Sequence, residues 1–310
     1  MRLIAFNRKG RIHHGKIEGQ TGIDLTKAYK LYSKENHHKS SEFNPESTIE
    51  WIFPRTSYEL TQQVLDWTAT QLSNRENEFR KQGITFKLDE AEILPPILSP
   101  RKIICVGGNY PSLGKTAKPD YPTIFLKPNN TLVACSKPII LPQNSVGANI
   151  EVELVVVIGK KGRFIKGSEA LEYIAGFTIA NDIGDRILEK RTSQWSSGKL
   201  FDTFTPFGPN IITPDEFNFE EPHKMIARIN GEIVLKGNST EMFFDVVSLI
   251  SYISELTTLE PGDIILTGSP KMVDGIPSRE KPLSKGDLIE AFVEGIGTLT
   301  NPVINESNQI

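Results

Sequence analysis

The feature that most constrains the fold of this chain is the stretch from Asn149 to Gly159, where Glu151 and Glu153 run directly into Leu154-Val155-Val156-Val157-Ile158. A continuous apolar, β-branched run of that length reads as a strand buried on both faces toward its end. Side chains two apart on a strand project from the same face, so Glu151 and Glu153 point together beside the apolar run. Two neighbouring carboxylates repel, and burial makes ionising either costlier still. A bound cation removes both problems. An all-oxygen donor set with no His or Cys beside it favours Mg2+, Mn2+ or Ca2+ over zinc. The alternative reading is an exposed pair on the solvent face of a half-buried strand. A second apolar segment, Ile174 to Asp182, ends in an acid that is either a third oxygen ligand or a helix or turn cap. Spacing alone does not join the two segments.

The 310 residues allow one large or two ordinary domains, and 38% hydrophobic with 24% charged residues is the usual balance of a globular protein. The net charge of -3 argues against a general nucleic-acid binder. Cys105 and Cys135 are no disulfide framework and read as core-filling thiols. No apolar run approaches the roughly 20 residues that cross a bilayer, and the N-terminus has no long apolar signal core. These observations point to a soluble cytoplasmic protein.

Arg2–Phe6 and His14–Ile17 read as strands turning at Lys9-Gly10, with Asp24 or Thr26 capping a short helix from Lys27 to Tyr32. Lys34 to Pro45 reads as an exposed loop. Leu60, Val64, Trp67 and Leu72 define an amphipathic helix from Ser57 to about Gln82. The proline-stiffened connector Leu94 to Pro100 places a boundary between a small N-terminal domain, 1–97, and a larger one, 98–310. Beyond it lie short β-type runs: Ile103–Val106, Thr123–Leu126, Ile211–Thr213, Ile264–Thr267 and Leu288–Val293. Helical patterns interrupt them at 168–174 and 244–256. The fold class is α+β and β-rich, a roll or barrel rather than a doubly wound parallel sheet.

Several stretches together resemble the fumarylacetoacetate hydrolase superfamily: Lys102 to Tyr110, Pro122 to Pro128, the Glu151-x-Glu153 strand, Ala180-Asn181-Asp182 with Arg186, Gly198 to Phe204, Leu259 to Pro270, and Gly295 to Pro302. They follow in unbroken order over about residues 100–303. The resemblance implies a distorted β-roll catalytic domain, a homodimer and a smaller N-terminal domain. It also implies Mg2+ or Mn2+ on Glu151, Glu153 and Asp182. By the same correspondence Lys199 is a pocket lysine, Thr267 with Gly268 binds the substrate carboxylate, and Arg186, Asn109 and Tyr110 line the substrate site. Without it, Lys199 reads as a solvated surface lysine and Thr267 as a strand residue making ordinary ladder contacts. Such enzymes act on small 2-oxo acids, for which a cation acts as Lewis acid toward an enolate and Lys199 adds positive charge where the oxyanion develops.

The departures bear on the reaction. Hydrolytic members carry a His and a Glu that activate water, where this chain has Leu113 and Thr116. Its histidines, His13, His14, His37, His38 and His223, all fall outside that segment. Asn149 replaces an Asp, Asp185 and Ile187 flank the arginine, and Glu189 stands where a Gln is common. Glu189 is the candidate base. The pattern favours decarboxylation of an oxaloacetate-like acid, dehydration or isomerisation over C–C cleavage of an acylpyruvate. The alternative is a catalytically impaired protein that binds metal and a 2-oxo acid in a regulatory role.

Overall fold

The computed structural model describes every residue except 38–46, 113, 115, 274–275, 278–281 and 308–310. The chain opens with an antiparallel hairpin, β1 (Arg2–Arg8) and β2 (Arg11–Glu18), followed by β3 (Thr21–Asp24). Lys9 and Gly10 take φ values of 55° and 75°, the pair of positive values a two-residue hairpin turn requires. Asp24 accepts a hydrogen bond from the Lys27 amide at 3.0 Å, so α1 begins at Leu25 and continues to Glu35. The loop expected at 34–45 therefore starts as the last turn of α1, and its part from residue 38 lies outside the described residues. Helix α2 (Arg55–Gln82) ends at Gly83, whose φ of 71° closes the last turn. Strands β4 (Thr85–Lys87) and β5 (Glu92–Leu94) complete the N-terminal part.

Strands β6 (Ile103–Gly107) and β7 (Thr123–Lys127) form one edge of the large sheet. Its order is β4-β3-β2-β1, Thr205–Ile212, Ile174–Asn181, Val152–Ile158, Ile264–Leu266, β6, β7. β1 pairs antiparallel with Thr205–Ile212, Leu3 opposite Ile211, and also with β5, Ala5 opposite Leu94. The sheet thus runs hydrogen-bonded from the first strand into the centre of the molecule. A second sheet holds Glu232–Asn238, Lys224–Ile229, Leu288–Val293, Gly297–Asn305 and Ile139–Leu141. Its first hairpin turns at Asn230-Gly231, both with positive φ. That dipeptide is a strong hairpin signal, and the sequence reading passed over it.

Segment 167–173 is a 3-10 helix, and the helical pattern at 244–256 becomes α5 (Val246–Leu256), capped by Asp245 on the Ser248 amide. Val152–Ile158 is buried along its whole length. Val152, Leu154, Val156 and Ile158 pack into one core with Leu249, Ile250 and Ile265, while Val155 and Val157 enter another with Met1, Trp51 and Ile103. Each fully buried aliphatic side chain contributes about 1.5–3 kcal/mol, which fixes this strand as the centre of the fold. Both cysteines are free thiols, Cys105 buried and Cys135 half-buried. No helix among the described residues is long and apolar enough to cross a membrane.

Candidate active site

Glu151, Glu153 and Asp182 meet at one end of the central strand pair. Val152–Ile158 pairs antiparallel with Ile174–Asn181, Val152 opposite Asn181, so the acids before and after that register arrive together. Short bonds close the junction: the Asp182 amide donates to the Glu151 carbonyl at 2.8 Å, and the Asn181 side chain accepts from the Glu151 amide at 2.8 Å. One carboxylate oxygen from each acid lies within 4.8 Å of the others, and all three residues are buried.

Four cations surround these acids. Lys199, at the end of α4 (Ser196–Lys199), donates to Glu151 Oε2 and Asp182 Oδ2, both at 2.7 Å, and to the Asp182 carbonyl at 2.9 Å. Lys127, ending β7, donates to Asp182 Oδ1 at 2.6 Å and to the carbonyls of Ile183 and Phe204. Arg186 and Lys271 both reach Glu151 Oε1. Arg186 also bonds Glu189 at 2.9 Å across one turn of α3 (Arg186–Glu189). Lys127 and Lys271 have no role in the sequence reading. A lysine that ends an apolar strand directly before proline was the available signal for Lys127.

Burial pushes the Glu153 carboxyl up to about 8, and the Asp182 charge adds to the push against the Gly268 amide, which donates to Glu153 Oε2 at 2.6 Å. Burial acts on Asp182 in the same direction, but the Lys127 and Lys199 ammonium groups win and hold it below the usual aspartate range. Burial, followed by the like charge of Lys199, takes Lys127 below the usual lysine range against the pull of Asp182.

The donor set fits a hard divalent cation: three carboxylates converge, no sulfur or imidazole among the described residues joins them, and ammonium groups neutralise oxygens of Glu151 and Asp182 that such an ion would take. Glu189 is buried, and among the described residues its Oε1 has no hydrogen-bond partner, although it lies 3.8 Å from Lys199 Nζ. Gly184 allows this approach, since a Cβ there would lie 2.0 Å from Glu189 Oε1 and 2.6 Å from Lys199 Cε. Phe125 and Trp195 form a T-shaped pair beside the cluster, with Lys199 Nζ 5.7 Å from the Phe125 ring centroid.

The other residues singled out from the sequence sit around this centre. Thr267 is buried and its hydroxyl donates to the Leu154 carbonyl at 2.9 Å. Asn109 is buried and spans Phe244 and Thr267: its amide donates to both carbonyls and its oxygen accepts from the Phe244 amide. The buried Tyr110 hydroxyl meets the Met225 sulfur at 3.2 Å. Thr116 is exposed, and Leu113 lies outside the described residues. His13 pairs with Asp24, His14 with Thr48, and His223 with the Asn218 carbonyl, so none of these three joins the carboxylate cluster.

The family model for the fumarylacetoacetate (FAA) hydrolase C-terminal domain matches residues 102–304. The chain is 39% identical over 267 residues to the mitochondrial oxaloacetate tautomerase Fahd2a of Rattus norvegicus, covering 83% of this chain and 82% of that protein. It superposes on a 5-carboxymethyl-2-hydroxymuconate delta-isomerase from Mycobacterium smegmatis with a TM-score of 0.73 at 28% identity, over 99% of this chain and 100% of that one. A maleylpyruvate hydrolase from Sphingobium sp. SYK-6, solved with manganese(II) and pyruvate, shares the fold at a TM-score of 0.74 and 24% identity, over 99% of this chain and 100% of that one. With the β-rich fold and the carboxylate cluster in place, these likenesses establish that the chain belongs to the fumarylacetoacetate hydrolase family and is an enzyme of that family.

Proposed function

We propose that this enzyme interconverts the keto and enol forms of a small 2-oxo dicarboxylic acid such as oxaloacetate, with Mg2+ or Mn2+ held by Glu151, Glu153 and Asp182. One observation carries the reading: a buried acid with an unpartnered oxygen, Glu189, faces a buried ammonium, Lys199, beside the ligand cluster. That is the equipment for moving a proton, and the rat relative carries the name of a tautomerase. When bound, the cation polarises the 2-oxo group and makes the adjacent C–H more acidic. Glu189 takes the C3 proton as the C3–H electron pair becomes the C2=C3 bond. The carbonyl pair moves onto the C2 oxygen, which receives a proton from Lys199. The reverse order returns the keto acid. Both groups are shielded from water, which strengthens their field on the reacting atoms. Arg186, Thr267 and Gly268 are the proposed carboxylate contacts, with Asn109 and Tyr110 supporting the wall behind them.

We further read the chain as two units, 1–97 and 98–310, assembled as a homodimer and resident in the cytoplasm. The test of function follows the ultraviolet absorbance of enol-oxaloacetate with metal-loaded protein, and measures pyruvate separately. Metal-dependent loss of the enol signal without pyruvate, absent from Glu189→Gln, supports tautomerisation. Stoichiometric pyruvate makes the protein a decarboxylase instead. Binding of oxalate with no turnover of oxaloacetate or an acylpyruvate favours the regulatory binder.

A further inference from the structure

Resting on that reading, we infer that the indole of Trp195, seated on Gly107, is the positioning element that holds Lys199 at the reacting atoms. The local structure leads there. Helix α4 is one turn long, and a single turn does not sustain itself. Trp195, the residue before its first turn, gives it no side-chain cap. Residues 191–194 ahead of Trp195 are exposed throughout, so they fix nothing. Lys199 therefore takes its place from what α4 and Trp195 pack against.

Gly107 ends β6 without a positive φ, so its backbone does not call for glycine. Space does: a Cβ there would lie 2.1 Å from Trp195 Cζ3 and 2.6 Å from Cη2. Gly107 pairs with Thr123 of β7 as Cys105 pairs with Phe125, so the missing side chain and Phe125 share one face of the sheet. The indole fills that gap and meets Phe125 in a T-shaped contact, ring centroids 5.6 Å apart. Phe125 in turn lies under Lys199 Nζ, which is 5.7 Å from its centroid and within cation–π range. The Trp195 carbonyl accepts from the Gly198 amide at 2.9 Å, so the indole and the turn that carries Lys199 are one piece. That turn is pressed on Asp185 at the start of α3, where a Cβ on Gly198 would lie 2.5 Å from the Asp185 carbonyl oxygen. Two residues past Gly107, Asn109 braces the Thr267 carbonyl at 2.8 Å. The indole thus ties the lysine to the wall proposed to meet the substrate carboxylate. A displacement of about 1 Å between such parts costs on the order of 10^2-fold in rate.

The test is a double-mutant cycle with two readouts, turnover of enol-oxaloacetate by Mn2+-loaded protein and calorimetric Mn2+ affinity of the metal-free protein. Trp195→Ala is expected to lower kcat about tenfold or more and to leave KM within about twofold. It should also tighten Mn2+ about threefold, because a loosened Lys199 competes less for Glu151 and Asp182. Gly107→Ala, which pushes the indole away, should reproduce both effects, and Trp195→Phe, which keeps a ring on Gly107, should recover most of the rate. In the Lys199→Met background, Trp195→Ala should change neither readout further. Thermal midpoints on the same samples report that each variant is folded. Equal fractional effects in that background would make Trp195 a merely structural residue, and unchanged kcat and Mn2+ affinity in Trp195→Ala would remove it from the site. Either result overturns the proposal. If wild-type protein turns over no 2-oxo acid, the tautomerase reading falls, while the Mn2+ cycle still decides whether Trp195 holds Lys199.

Discussion

Two aspartates three residues apart, Asp182 and Asp185, show how one chain makes a structural carboxylate and a functional one. Asp185 is buried among fixed donors. Its Oδ1 accepts from the amides of Ile187 and Leu188, and its Oδ2 from the Ser145 hydroxyl and the amides of Val146 and Gly147. Burial works against its charge, but the Leu188 amide, the Ser145 hydroxyl and the two loop amides hold it below the usual aspartate range. Those partners are mostly backbone and cannot leave. The side chain of Asp182 is held by the Nζ atoms of Lys127 and Lys199, at the ends of long side chains. A carboxylate compensated by ammonium groups on side chains can give an oxygen to a metal, and one whose oxygens are filled by backbone amides cannot.

The sharpest way to break this comparison is to delete the exchangeable set. Glu151→Ala with Glu153→Ala should abolish both metal-dependent turnover and the stabilisation that metal gives, seen as a thermal midpoint that no longer responds to Mn2+. The next effect separates holding from chemistry. Lys199→Met should lower kcat by about 10^2–10^4-fold while Mn2+ still binds, at least as tightly, because the competing ammonium is gone. Asp185→Ala should do the opposite. Leaving five donors without their acceptor is expected to reduce folding stability by about 2–4 kcal/mol, read by denaturant unfolding, with Mn2+ stoichiometry intact in the folded fraction.

The gentlest probe is pH. In the metal-free fold Glu153 keeps its proton up to about 8, whereas the unfolded side chain releases it near 4.5. The stability this group contributes is therefore complete below 4.5 and is lost as pH rises through about 8. Metal must expel that proton, so Mn2+ affinity should climb about tenfold per pH unit through this window and level off above it. Calorimetric titrations from pH 6 to 9 would show the slope, and a flat profile would mean Glu153 is already ionised.

Much of the centre was legible because its signals are local. Glu151 and Glu153 declare a shared face through their spacing, and an apolar run this dense leaves few places for the strand but the core. Asp182 was ambiguous until the antiparallel register set it beside Glu151, a pairing that no short window contains. The same holds for β1, which pairs with strand Thr205–Ile212 some 200 residues away, Leu3 opposite Ile211. Lys127 and Lys271 carried no role in the sequence for a different reason: a lysine at a strand end is ordinarily solvated, so even the strand-end lysine before proline at 127 reads as surface until the tertiary fold turns these two toward acids. Gly184 showed no reason for its presence until Glu189 and Lys199 closed over it.

The central claim is that the Glu151–Glu153–Asp182 cluster trades its ammonium partners for one divalent cation. The direct measurement is a calorimetric Mn2+ titration of the wild-type protein beside Asp182→Asn, with circular dichroism confirming that both are folded. One ion per chain in the wild type and none in the variant is the expected result. Undiminished stoichiometric binding by folded Asp182→Asn, or no binding by folded wild type, would contradict the account.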